Sequence, residues 1–142
     1  MRVQSYSATA LALGGTILMT LGLYFMLVRP PLLPEDLRFV GTSLAEVQAT
    51  LPGLSVWLRR VFWVMGGYIF ATGLLTTYVA VTTFRTRARG VGGIVAIAGL
   101  TSIGLMAVVN FMIASNFKWV ILSFALIWAL ALALYRIERT HS

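Results

Sequence analysis

No cysteine occurs in this chain, and it holds one histidine, one lysine and four acidic residues. Without cysteine there is no disulfide, no thiolate metal site and no thiol redox chemistry. The single histidine, His141, lies beyond the last apolar stretch, so haem ligation by two histidines of this chain is excluded and no metal or other cofactor is expected. Three of the four acids (Glu35, Asp36, Glu46) fall in one loop and the fourth, Glu138, near the C-terminus. A Ser-His-Asp arrangement would require His141 to reach the loop acids from the opposite side of a membrane. A proton or ion relay needs ionisable groups inside the membrane, and the apolar stretches contain none. No catalytic residue is expected, and the protein reads as non-enzymatic.

What the chain has in abundance is apolar length. It is 59% hydrophobic and 11% charged, too apolar for a water-soluble fold of 142 residues. All fifteen charged residues lie outside four stretches, Val3 to Val28, Val61 to Phe84, Gly90 to Phe117 and Trp119 to Tyr135. About 20 apolar residues in a helix cross the hydrocarbon core. The fold expected is therefore an all-α integral membrane protein, a single domain built as a four-transmembrane-helix bundle. Its spans cover about 7–28, 54–84, 91–113 and 118–136, the second starting near Leu54 or Val61. Arg29-Pro30-Pro31 stands where a signal-peptide cleavage site would need small residues, so the first span reads as a retained helix.

The net charge of +7 is distributed around the spans, which argues for topology and against nucleic acid. Arg2, Arg85, Arg87, Arg89, Arg136 and Arg139 share one side; Arg29, Arg38, Arg59, Arg60 and Lys118 share the other. The short segment Arg85-Thr86-Arg87-Ala88-Arg89 decides between them, because dense basic charge in a short loop is retained in the cytoplasm. Both termini are thus expected inside and loop 29–60 outside. Trp57, Trp63 and Trp119 mark the outer interface, Tyr6 and Tyr135 the inner. Arginine outnumbers lysine ten to one and alanine is frequent, a composition that points to a GC-rich bacterial genome.

The outer loop is long enough to hold structure of its own. Pro34 at a first helical position, with Glu35 and Asp36 in the first turn, predicts a short helix that Gly41 stops. Ser43-Leu44-Ala45-Glu46 has capping-box spacing, and Leu44, Val47 and Leu51 continue a second amphipathic helix until Pro52-Gly53. Within the spans, Gly14-Gly15, Gly66-Gly67 and Gly92-Gly93, with Ala125, Ala129 and Ala133, read as helix-packing positions, since small residues let membrane helices approach closely. They sit at different depths, which argues against an internal repeat. Hydroxyl residues in the spans (Thr16, Thr20, Thr72, Thr76, Thr77, Thr101, Ser102, Ser123) either line a path or bond their own backbone. Gly90-Val91-Gly92-Gly93 lacks the lysine and strand of a nucleotide loop and reads as a turn entering a helix.

One possible site remains. Arg29, Arg38, Arg59, Arg60 and Lys118, with Asn110 and Asn116, would hold a lipid headgroup or a carboxylated ligand if they gathered; otherwise they are flanking charges paired with the loop acids and headgroups. The segment Leu33-Pro34-Glu35-Asp36-Leu37-Arg38-Phe39 after a first span, Arg59-Arg60-Val61 at the second and Gly66-Gly67-Tyr68 within it resemble a group of small uncharacterised four-helix bacterial inner-membrane proteins. That resemblance implies a bacterial inner-membrane location and carries no catalytic motif. Three readings follow. The chain acts by association, as an accessory subunit of a larger membrane complex or a homo-oligomer. Alternatively it binds or transports a lipid or small hydrophobic ligand, or it is a membrane enzyme using Glu35, Asp36 or Glu46. The lipid bilayer, other membrane subunits or a second copy are the partners expected.

Overall fold

The computed structural model describes residues 5–140, with side chains described as far as Glu138. Arg2, His141 and the Arg139 side chain, which enter the reasoning above, lie outside the described residues. Among the described residues every regular element is helical. Four helices, Tyr6–Leu27, Leu54–Phe84, Val91–Met112 and Lys118–Thr140, are long and apolar enough to cross a membrane. The second starts at Leu54 and runs for 31 residues. At 1.5 Å per residue it measures about 46 Å, well over the roughly 30 Å of hydrocarbon, so part of it extends past the apolar layer of any membrane it crosses.

Loop chemistry sets the ends of these helices. Ser5 caps the first, its hydroxyl accepting from Ala8 N. The short helix Pro34–Val40 ends on Gly41 at φ +76°, the left-handed conformation in which glycine carries no Cβ penalty. A second short helix, Leu44–Thr50, starts at Ser43, whose hydroxyl accepts from Glu46 N. The other half of the expected capping box is absent: the Glu46 carboxylate accepts from the Thr42 hydroxyl instead, at 2.9 Å.

Two further helix ends use a left-handed residue that is not glycine. At the end of the second long helix Ala88 N bonds Thr83 O and Arg87 N bonds Phe84 O, with Arg87 at φ +57°. The third ends the same way: Ser115 N bonds Asn110 O and Ala114 N bonds Phe111 O, with Ala114 at φ +50°. Both are Schellman motifs, in which two otherwise unpaired carbonyls of the last turn are satisfied.

The first and second long helices run antiparallel and touch through backbone. A methyl on Gly15 would stand 2.8 Å from Gly73 O; one on Gly22 would stand 2.6 Å from Phe70 N and 2.7 Å from Gly66 O. Gly15 thus faces Gly73 and Gly22 faces Gly66, each pair seven residues along from the other. The fourth helix packs on the opposite flank of the first, with Trp128 3.5 Å from where a Gly14 methyl would lie. Trp128 also fills a notch at Gly99 of the third helix and donates its indole N–H to Val95 O at 3.0 Å. The third helix widens to a π-turn over Leu100–Gly104, directly after this contact. The order across the molecule is therefore second, first, fourth, third. The second and third helices meet mainly at the turn that joins them, through Ala80–Phe84 and Val91–Gly99.

Candidate functional site

At the loop end, where the second and third helices are not packed together, lies a cavity of about 540 Å³. All four long helices contribute to its apolar wall, through Phe25, Phe62, Met65, Met106, Ile121 and Phe124 among others. The first short helix meets it with Leu33, Glu35 and Asp36. A volume of this size falls within the range of small-molecule sites.

Polar groups are few and specifically held. Arg29 donates to Asp36 Oδ2 at 3.0 Å and to Pro30 O at 2.9 Å. Its guanidinium lies 3.8 Å from the Phe62 ring centroid and 5.4 Å from that of Phe25. Asp36 also accepts from Leu33 N at 2.9 Å, so one carboxylate caps the short helix and neutralises the arginine. Arg29 is in this way paired and stacked, with 9% of its side chain exposed.

Glu35 differs. It is 2% exposed, and its hydrogen bond is with Ser115, whose hydroxyl donates to Oε1 at 3.2 Å. Ser115 sits in the turn set by left-handed Ala114, and its hydroxyl oxygen also accepts from Phe117 N at 3.1 Å. With that lone pair used, the hydroxyl proton is directed at Glu35. No ion pair to Glu35 occurs among the described residues. Glu35 and Arg38, three residues apart on this helix, form no ion pair; Arg38 reaches across to Asn116 Oδ1 at 3.3 Å. The helix turns Glu35 inward and Arg38 outward.

The loop-side cations do not gather. Arg29 and Asn110 line the cavity, Asn110 donating to Met106 O at 2.9 Å. Arg60 lies over Trp63 at 5.2 Å and Lys118 over Phe111 at 5.9 Å, while Arg59 is exposed. Most of these cations settle on a nearby ring or polar group, which replaces the convergence that bare spacing left open. The small residues also divide. Gly14, Gly15 and Gly66 face another helix, and Gly92 lies 3.0 Å, at a hypothetical methyl, from Tyr135. A methyl on Gly67 or Gly93 would meet open space, and Ala129 and Ala133 are exposed while Ala125 is half-buried. Gly67, Gly93, Ala129 and Ala133 are thus corrected as packing positions within this chain. Gly22, Gly73 and Gly99 take that role, and the shared seven-residue spacing of Gly15/Gly22 and Gly66/Gly73 is the signal that would have found two of the contacts.

Seven of the eight span hydroxyls bond their own helices, Thr16 to Ala12 O, Thr20 to Thr16 O, Thr72 to Tyr68 O, Thr77 to Gly73 O, Thr101 to Ile97 O, Ser102 to Ala98 O and Ser123 to Val120 O, while Thr76 is buried. At the opposite end of the molecule Glu138 accepts from Ser7 Oγ at 2.7 Å, Ser7 N at 3.1 Å and Arg87 Nη2 at 3.0 Å. This clamp ties the start of the first helix to the end of the fourth and to the turn. Ser5 and Ser7 gave no signal in sequence, because serine before an apolar run reads equally as a simple cap.

No family model, curated protein or solved structure matches this chain.

Proposed function

We propose that this chain is a multi-pass membrane protein that binds a small amphipathic molecule in the loop-end cavity. The observation that carries the reading is the cavity itself: apolar walls from all four long helices, with a few polar side chains at the end lined by a short helix. Placement in a bacterial inner membrane as a four-helix bundle, termini inside and the cavity toward the outer leaflet, completes the proposal. It rests on the arginine-rich turn at 85–89 and on the composition.

Native mass spectrometry of the protein released from nanodiscs tests it. Bound mass should survive release from wild type and be reduced in Met106→Trp, which places an indole among the cavity walls. Wild-type protein emerging at bare mass from every lipid tried would refute the reading. A second reading, association with other membrane helices, draws on the uncovered small-residue positions Gly67, Gly93, Ala129 and Ala133. A strictly monomeric species without co-purifying subunits in mild detergent would count against it.

A further inference from the structure

We infer that the loop-end cavity selects amphiphiles carrying a protonated amine, with Glu35 as the group that recognises the head; the inference rests on the cavity being a ligand site. Two cavity-lining groups carry formal charge that could choose a headgroup, apart from Asp36, which is committed to Arg29 and Leu33 N. Arg29 is a poor choice for an anion, because Asp36 already neutralises it at 3.0 Å, its other terminal nitrogen donates to Pro30 O and its flat face lies on Phe62. Glu35 is the opposite case. It is a carboxylate 2% exposed, reaches the cavity, and receives one neutral hydroxyl bond where such a group ordinarily takes several donors or a cation. An alkylammonium supplies what is missing, a cationic donor on an apolar tail that the phenylalanine and methionine wall accepts. Tyr24, Phe117 and Phe124 add aromatic rings around the same space, and ring faces attract cations. With Arg29 and Asp36 cancelling, a charged Glu35 leaves the cavity's own lining net negative, which disfavours carboxylates and phosphates inside it.

The test uses three probes of equal tail length, octylammonium, octanol and octanoate, at neutral pH. Their binding to the full chain in nanodiscs is measured by equilibrium dialysis and corrected with protein-free nanodiscs. Octylammonium should bind about tenfold more tightly than octanol, the margin between a charge-assisted and a neutral hydrogen bond, with octanoate weakest. Glu35→Gln keeps an oxygen for the Ser115 hydroxyl while removing the charge, and should bring octylammonium and octanol to within about twofold, since only the neutral bond remains. Equal affinities in wild type, octanoate as the tightest probe, or a preference that persists in Glu35→Gln would overturn the inference while leaving the cavity reading in place. Absence of saturable binding by all three probes would remove the cavity reading as well. The wild-type ranking needs no variant, so a Glu35→Gln chain that does not fold still leaves the preference for an amine decided.

Discussion

Replacing Gly22 by alanine puts the helix contact to a quantitative test. A methyl there would stand 2.6 Å from Phe70 N and 2.7 Å from Gly66 O, about 1 Å inside ordinary contact. Both obstructing atoms are backbone of the second helix, so no side-chain rotation relieves the clash and the helices must separate. A gap of 0.5–1 Å forfeits roughly a quarter to a half of each local dispersion contact, and overpacking of this kind costs about 1–3 kcal/mol. Gly67, next to Gly66, supplies the control, because a methyl there meets open space. Alanine at Gly67 should therefore show the intrinsic helix preference alone, a gain of up to about 1 kcal/mol. The assay is unfolding in mixed micelles followed by circular dichroism, with the two variants compared at equal detergent. Gly22→Ala should unfold earlier than wild type and Gly67→Ala at the same point or later. Equal shifts of one sign, or an unchanged Gly22→Ala, would refute the packing argument.

The same assay reads two other positions. Ala114→Gly removes the left-handed penalty at φ +50° and should stabilise by about 1 kcal/mol or slightly less, given glycine's larger entropy in the unfolded chain; destabilisation would mean that the alanine methyl makes a contact that matters more. Trp128→Phe loses the bond to Val95 O and part of the volume in the Gly99 notch, and should cost about 1–3 kcal/mol; an unchanged midpoint would show the notch closing over the smaller ring.

Helix number was legible because charge-free length is a one-dimensional property. The loop helices were legible for a similar reason: Pro34, Gly41, Ser43 and Pro52 each act within a few residues of themselves. What the sequence hid was direction around the helix axis. Adjacent glycine pairs drew attention, yet neighbours in sequence point about 100° apart, so one member of Gly66-Gly67 faces the first helix and the other faces away. Glu35 was hidden in the same manner. As a charged residue in a loop it read as a surface group paired with the flanking cations, whereas Pro34 starts the helix in a rotation that aims Glu35 at Ser115, 80 residues away in the chain. No local rule reports such a contact.

The size of the cavity bears on whether it is ever empty. Measured penalties for sealed apolar voids are about 24 cal/mol per Å³, which for 540 Å³ gives an upper bound near 13 kcal/mol. The cavity is partly open, so the real figure is lower, but the bound is as large as the whole stability of a typical domain, about 5–15 kcal/mol. Water is a poor filler, because the wall offers few polar partners and a buried water needs two to four. Larger side chains at positions such as Ser102 or Val109 would close the space. The first and second helices are held by glycine contacts and the third and fourth by Trp128, each pair at its own closest approach. Collapse would therefore require the second and third helices to swing together across Arg29 and Phe62, breaking the seat that fixes the loop. An occupant that fills the apolar space and meets Glu35 removes the void without that movement, so binding and stability should rise together.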